Sequence, residues 1–193
     1  MNKSMTYRSL PLLLAALSVM GSANAAWYAG GSYGQTLYED ICDSVSAEAG
    51  ATCDDDPYGY KIFAGARLSQ NYALEAAYMD FGEATASSSV SNRTLQVKGL
   101  NFSVLGIKPL SKSFEIFIKG GLLFWEGETV KTGTTNSTIT VDDSDINYGF
   151  GANYNVNEKL ALRAEFERFH NLSYESSLES PVSYLSLGVI VSF

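Results

Sequence analysis

The feature that most constrains this fold is a two-residue alternation of side-chain polarity. Six even positions in one segment are apolar or aromatic, and the positions between them are asparagine or glycine: Ile146, Tyr148, Phe150, Ala152, Tyr154 and Val156. The last residues repeat this pattern, with apolar side chains at Leu185, Leu187, Val189, Val191 and Phe193. Because successive side chains of a strand point to opposite faces, each segment predicts a strand with one apolar face.

Eight segments of this kind are predicted along the chain: 27–37, 58–68, 72–81, 95–108, 113–125, 145–156, 159–169 and 183–193. Long connectors (38–57, 82–94, 126–144, 170–182) alternate with short ones (69–71, 109–112, 157–158). An even number of strands, each long enough to cross a bilayer, with alternating loop lengths is typical of outer-membrane barrels. The pattern therefore predicts an all-β fold, an eight-stranded antiparallel up-and-down transmembrane β-barrel.

The face opposite the apolar stripes carries four basic and four acidic residues: Lys61, Arg67, Glu75, Glu115, Lys119, Arg163, Glu165 and Glu167. A soluble lipocalin-like barrel would turn these charges outward. Many glycines share the charged face, however, and glycines beside long charged residues suit the crowded interior of an eight-stranded barrel. The charges are therefore predicted to line the lumen. Their balance favours a salt-bridged filling, and a narrow ion path gated by exchange of partners stays the alternative.

The N-terminus has the pattern of an export signal. Lys3 and Arg8 precede the apolar run Leu10–Met20, which is followed by the small-x-small triplet Ala23-Asn24-Ala25. The run is too short for a spanning helix, and its end in a cleavage pattern argues against a membrane anchor. We expect a signal peptide at 1–25, cleaved after Ala25, and one barrel domain at 26–193.

The number of cysteines and the net charge limit the kinds of site and partner that the chain can have. Cys42 and Cys53 are the only cysteines and lie close in sequence, so an exported chain is expected to join them in a disulfide. A metal site would need more thiols or imidazoles, and His170 is the sole histidine. The net charge of -8 argues against a nucleic-acid partner. We predict no cofactor.

Three stretches resemble a known family: Trp27-Tyr28-Ala29-Gly30-Gly31, the segment 73–82 (ALEAAYMDFG) and the ending 184–193 (YLSLGVIVSF). Taken in order, they are similar to the OmpA-like eight-stranded outer-membrane β-barrels across 26–193. The resemblance implies a bacterial outer-membrane location and a signal at Phe193 that the barrel-assembly machinery reads. We expect a monomer without the peptidoglycan-binding domain of full-length OmpA, because the chain ends with the barrel.

The outer loops are the predicted working surface, since variable function sits on loops held by a rigid scaffold. Two of them are acidic, with Glu39, Asp40, Asp43, Glu48, Asp54, Asp55 and Asp56 in the first and Glu126, Glu128, Asp142, Asp143 and Asp145 in the third. Divalent cations could bridge these carboxylates, but their spacing matches no defined cation loop, which favours solvated loops. The expected function is structural or adhesin-like, with a host or surface partner.

An enzymatic role has little support in the sequence. The resemblance allows a lipid A-modifying enzyme, because the family fold hosts deacylases and acyltransferases. The only candidate set is His170 with Ser173 and Glu175 or Glu179, and it has no defined spacing. We therefore predict no catalytic residues.

The lipid-facing stripes carry three basic side chains near the predicted outer rim. Lys98, Arg168 and His170 share the parity of the apolar residues on their strands. At the interface such groups can make charge-assisted bonds to lipopolysaccharide phosphates. The alternative is that they only extend into water.

Overall fold

The computed structural model describes residues 26–38, 52–87, 91–133, 136–170, 172 and 181–193. Nine strands lie in these ranges: β1 (Ala26–Tyr38), β2 (Thr52–Asp54), β3 (Tyr58–Arg67), β4 (Tyr72–Ser87), β5 (Ser91–Pro109), β6 (Phe114–Gly133), β7 (Ser137–Asn155), β8 (Leu160–Phe169) and β9 (Val182–Ser192). In the same ranges, no helix is long and apolar enough to cross a membrane.

Eight of the strands close into a ring. Each pairs antiparallel with its neighbours in the order β1, β3, β4, β5, β6, β7, β8, β9, and β9 pairs back onto β1. The short β2 stands outside this ring and pairs only with β4. The predicted eight-stranded antiparallel barrel is thus confirmed. The predicted signal peptide at 1–25 lies outside the described residues.

Accessibility shows which face of the strands is the outside of the barrel. Leu187 and Ile118 on the apolar stripes are 71% and 69% exposed, whereas Lys119, next to Ile118 in sequence, is 4% exposed. The apolar faces therefore point outward and the charged faces inward. This is the orientation required when hydrocarbon, not water, surrounds the barrel.

Two of the four predicted long loops are instead mostly β-structure. β4 and β5 continue until only 88–90 separate them, and β6 and β7 until only 134–136 separate them. The predictions of loops at 82–94 and 126–144 were therefore wrong. These segments stand beyond the apolar band, so their outer faces are polar. Their buried inner positions hold small or polar side chains such as Ala84, Ala86 and Thr129, which gives little polarity alternation. Their β-branched residues, such as Val130 and Thr138, still favour strands.

We call residues 81–87, 91–97, 127–133 and 137–141 the hairpin extension. It begins at a β-bulge in β4, where the register with β5 shifts between Asp80 and Glu83. Gly82 adopts a φ of 80° there, and its amide donates a hydrogen bond of 3.0 Å to Asp80 Oδ1. A left-handed residue favours glycine. β2 pairs with the outer edge of this part of β4, from Thr52 opposite Ser87 to Asp54 opposite Thr85.

Candidate functional site

The charged residues predicted for the lumen come from four strands. β3 supplies Lys61 and Arg67, β4 supplies Glu75, β6 supplies Glu115 and Lys119, and β8 supplies Arg163, Glu165 and Glu167. All lie at inward positions of the alternation. Seven of the side chains are at most 8% exposed, and the eighth, Arg67, is 33% exposed.

Six of these residues form what we call the ionic network: Lys61, Glu75, Lys119, Arg163, Glu165 and Glu167. Lys119 Nζ lies 3.0 Å from Glu75, 3.1 Å from Glu165 and 2.8 Å from Glu167. Lys61 Nζ contacts both Glu165 and Glu167. Arg163 donates a hydrogen bond of 2.7 Å to Glu75 Oε2. With three cations and three carboxylates, the network is formally neutral.

Arg163 ties the ionic network to its surroundings. Its Nε donates to Asn153 Oδ1 at 3.0 Å, and Asn153 in turn donates to Glu115 at 2.8 Å. The guanidinium carbon lies 4.7 Å from the ring centroid of Phe63 and 4.8 Å from that of Phe117. Two aromatic faces thus shield this cation from water, an arrangement that stabilises guanidinium groups.

Toward the barrel end that holds residues 68–71, 110–113 and 156–159, a separate ion pair lines the lumen. Arg67 donates a hydrogen bond of 2.6 Å to Glu115 Oε2. A small cavity of about 40 Å³ lies beside this pair and is also lined by Asn153 and Arg163. Arg67 is 33% exposed, so the pair marks the mouth of the lumen at the end with the short turns, which is expected to face the periplasm.

The opposite half of the lumen is filled mainly by apolar side chains, a feature that the sequence did not predict. Its buried side chains form what we call the upper apolar cluster: Tyr38, Met79, Phe81, Ala84, Leu95, Val97, Leu123, Trp125, Phe169, Leu172, Val182 and Tyr184. Phe81 packs edge-to-face on Phe169 at 4.9 Å between ring centroids. Leu172, which follows β8, is fully buried in the same cluster. Side chains from both the wall and a connecting segment therefore fill this end of the barrel.

A row of charged side chains crosses four neighbouring strands on the outer wall. Asp80 of β4 lies opposite Lys98 of β5, Lys98 opposite Glu126 of β6, and Glu126 opposite Asp142 of β7. We call these four residues the charged row. The next row toward the turns reads Tyr78, Leu100, Phe124 and Ser144. The charged row therefore marks where this side of the barrel leaves the apolar band.

The three basic residues predicted at the rim do not form one patch. Lys98 belongs to the charged row, 3.6 Å from Asp80, and β5 continues beyond it to Ser91. Arg168 donates a hydrogen bond of 3.1 Å to Ser183 Oγ. His170 is exposed just past β8. β6 and β7 separate Lys98 from the other two.

The acidic residues assigned to the third loop lie on strands. Glu126 and Glu128 belong to β6, and Asp142, Asp143 and Asp145 to β7. In the first loop, Asp54 lies in β2, and the Asp56 carboxylate accepts a hydrogen bond of 2.7 Å from Gln35. No group of three potential ligands that could hold a metal ion occurs among the described residues.

Several predicted positions lie outside the described residues: Glu39, Asp40, Cys42, Asp43, Glu48, Ser173, Glu175 and Glu179. Cys53 lies in β2. The disulfide between Cys42 and Cys53 therefore stays a prediction, as does the absence of a catalytic set around His170.

Comparison with solved structures gives the same fold. The Yersinia pestis attachment invasion locus protein Ail, crystallised with the heparin analogue sucrose octasulfate, superposes with a TM-score of 0.60 at 13% identity, covering 89% of this chain and all of Ail. Neisserial surface protein A gives 0.63 at 15% identity, with 89% and 100% covered. The N-terminal barrel of Pseudomonas aeruginosa OprF gives 0.51 at 15% identity, with 88% and 100% covered.

Sequence comparison assigns the family. No curated protein matches the chain significantly. The family profile of the OmpA-like transmembrane domain matches residues 22–193. Together with the barrel of outward apolar faces, this match identifies a protein of the bacterial outer membrane. The chain belongs to the OmpA-like transmembrane domain family.

Proposed function

We propose that this barrel is a closed scaffold that carries a surface-interaction site outside the membrane, an adhesin-like role. The observation that carries the proposal is a contrast along the barrel axis. The lumen is filled by buried side chains in two successive layers, whereas β4 to β7 continue past the charged row into water. The tip of this extension, residues 127–133 and 137–141, does not contribute to membrane insertion. Contact with a partner is the role that fits it.

The alternative of a gated ion pore is less well supported. An ion crossing the lumen would need to separate the pairs of the ionic network and also pass the upper apolar cluster. Transfer of an ion into an apolar layer is costly without compensating polar groups. Exchange of salt-bridge partners alone would therefore not open a path.

The chemistry of the outer surface suggests the class of partner. Ail was crystallised with a sulfated, strongly anionic ligand. In this chain the described outer residues include the carboxylates of Glu126, Glu128, Asp142 and Asp143, whose negative charge would repel such a ligand. We propose a partner that is neutral or basic, and we propose no enzymatic activity for the site.

Two further partners follow from the membrane setting. Phe193 directly follows β9 and its amide donates to Trp27 O at 2.9 Å, so the C-terminal end of the chain is bound into the barrel wall. We propose that Phe193 acts earlier, as the signal read by the barrel-assembly machinery. We also propose that Lys98, Arg168 and His170 contact lipopolysaccharide phosphates, each at its own place on the rim.

Adhesion of whole cells tests the proposed function. Replacing residues 128–140 with Asn-Gly would shorten the β6–β7 hairpin to the level where Gly127 lies opposite Val141. Cells that display the wild-type chain should adhere to surfaces coated with extracellular-matrix proteins, and cells with the shortened hairpin should adhere less. Equal adhesion of wild-type, shortened and empty-vector cells would contradict the role.

The control for this experiment is correct folding of the shortened barrel. The ionic network and the apolar band lie below the deletion, so the heat-modifiable gel shift should persist. Loss of adhesion together with loss of this shift would report unfolding, and a milder variant that replaces only 131–137 would then be compared.

A further inference from the structure

The hairpin extension has two side edges, and they differ in what covers them. On the β4 side, β2 pairs with residues 85–87, and Tyr38 N donates to Asp55 O at 3.0 Å just beyond. On the β7 side, pairing with β8 stops at Asn147, whereas pairing with β6 continues to Ser137. In the part of the chain that the structure describes, residues 137–144 thus have a strand partner on one side only. We call them the β7 edge.

The β7 edge has the composition of a pairing strand. Thr138, Ile139, Thr140 and Val141 are all β-branched, and the segment contains neither proline nor glycine. An edge of this kind presents a row of main-chain donors and acceptors to any extended segment beside it. On the opposite edge, the chain itself completes the sheet with β2, so the extension accepts short added strands.

The negative charge near the β7 edge determines which kind of segment can pair with it. Asp142 and Asp143 are exposed on the β7 edge, and Glu126 and Glu128 lie on the neighbouring β6. Glu126 and Asp142 face each other directly across the strands. Like charges in this position destabilise a sheet. Lys98, opposite Glu126 on β5, offsets part of that cost, and a further cation beside Asp142 would offset more of it. A second copy of this chain would bring the same negative charge to the edge.

A groove at the foot of the β7 edge fits a long basic side chain. Tyr78, Leu100 and Phe124 line its apolar part, and Lys98, Glu126 and Asp142 line its outer part, with two carboxylates to one ammonium group. Lysine and arginine combine an aliphatic stem with a charged head. The stem would pack on Phe124 while the head reaches Glu126, about 10 Å, or two strand spacings, from an added strand.

We propose that the β7 edge binds an extended, lysine- or arginine-rich segment of a partner protein by strand addition. Main-chain hydrogen bonds along 137–144 supply the pairing, and the groove with its two carboxylates takes a basic side chain. This proposal specifies the class of partner for the surface-interaction role proposed above, and it rests on that role.

Peptide binding to the whole chain in lipid nanodiscs tests the proposal. The probe is a fluorescent nine-residue peptide of alternating lysine and valine, followed by anisotropy at low salt. Methylating its alternate amide nitrogens on the pairing side should weaken binding more than about tenfold, because main-chain hydrogen bonds are lost while charge is kept. A glutamate–valine peptide should not bind. Equal binding of the methylated or the acidic peptide would overturn the proposal.

Matched variants locate the binding site. The double variant Asp142→Asn, Asp143→Asn should weaken binding of the lysine–valine peptide by about two- to fivefold for each carboxylate removed. Glu83→Gln removes an exposed charge on the β4 side of the same extension and should leave binding unchanged. An equal loss for each removed carboxylate in the two variants would mean that only overall charge matters and would overturn the proposal. A disulfide dimer formed readily by Thr140→Cys would assign the edge to a second copy instead.

The adhesion assay separates this proposal from the role on which it rests. If wild-type cells adhere and the Asp142→Asn, Asp143→Asn variant adheres equally well, the β7 edge is not the site but the surface role stands. If wild-type cells do not adhere, the surface role fails, whatever the peptide does.

Discussion

The two halves of the lumen are filled by opposite kinds of chemistry. Toward the turns, the ionic network joins three cations and three carboxylates from β3, β4, β6 and β8. Toward the hairpin extension, the upper apolar cluster packs aromatic and aliphatic side chains, with Phe81, Phe169 and Tyr184 at its centre. Both halves exclude solvent, but the first depends on pairing of charges and the second on packing.

The two halves should therefore lose stability in different ways. Removing one member of a buried ion pair leaves an uncompensated charge, which costs more than the pair contributes. Removing an apolar side chain leaves a cavity that neighbours partly fill. Substitutions in the two halves compare these two costs.

The largest effect is expected for Lys119→Met. Lys119 lies within 3.1 Å of three carboxylates, and its side chain is 1% exposed. The variant should lose about 3–5 kcal/mol of unfolding free energy, because Glu75, Glu165 and Glu167 stay buried with less positive charge. Urea titration of the barrel in liposomes measures this loss.

Lys98→Met is the matched control for Lys119→Met. Its ammonium lies 3.6 Å from Asp80, and its side chain is 43% exposed. Solvent screening limits the expected loss to about 0–1 kcal/mol. Similar losses in the two variants would mean that the ionic network is far better hydrated than its burial indicates.

In the upper apolar cluster, Phe169→Ala should cost about 3 kcal/mol, the lower end of the range for a buried phenylalanine. Phe169 is fully buried against Phe81, and the nearby Leu172 can move into part of the cavity. Phe150→Ala, on the lipid-facing side of β7, removes the same atoms from an outward position and should cost less. The same liposome titration compares them, and a larger loss for Phe150→Ala would contradict the assigned packing.

At the junction between barrel and extension, Gly82→Ala should cost about 1–2 kcal/mol, because alanine disfavours a φ of 80°. Its methyl group would also meet the Tyr58 carbonyl oxygen. Gly120→Ala is the control, since a methyl group there meets nothing within 4 Å. Trypsin sensitivity of the extension, measured beside stability, should rise only in Gly82→Ala. An unaffected Gly82→Ala would show that the bulge does not depend on glycine.

The sequence predicted the ionic half of the lumen but not the apolar half, and the reason is physical. In β8, charged and apolar residues alternate, so Arg163, Glu165 and Glu167 stand out as one face. In β6, Leu122, Leu123, Phe124 and Trp125 are apolar on both faces, because lipid lies on one side and the upper apolar cluster on the other. Alternation cannot separate two apolar environments.

The hairpin extension was not predicted because its strands lack a clear apolar face. Beyond the apolar band, the outer face of these strands meets water, and many buried inner positions hold small or polar side chains such as Ala84 and Thr129. A strand without large apolar side chains along one face gives little period-2 signal and is easily taken for a loop. The charged row, by contrast, follows only from strand register, which brings together residues far apart in sequence.

The smallest effect is expected at the predicted disulfide. Reduction of a bridge between Cys42 and Cys53 should leave barrel stability nearly unchanged, because the constraint acts on a connecting segment outside the ring. Protease sensitivity between Tyr38 and Pro57 should increase instead. Two free thiols in protein isolated under oxidising conditions would contradict the bridge.

Planar-bilayer recording of the refolded barrel tests most directly the claim that the two halves close the lumen. The wild-type chain should give no stable unitary currents. Phe169→Ala should stay equally silent, because the ionic network still fills the other half. Stable unitary currents from the wild-type chain, reproducible and dependent on protein, would contradict the closed scaffold and restore the ion pore.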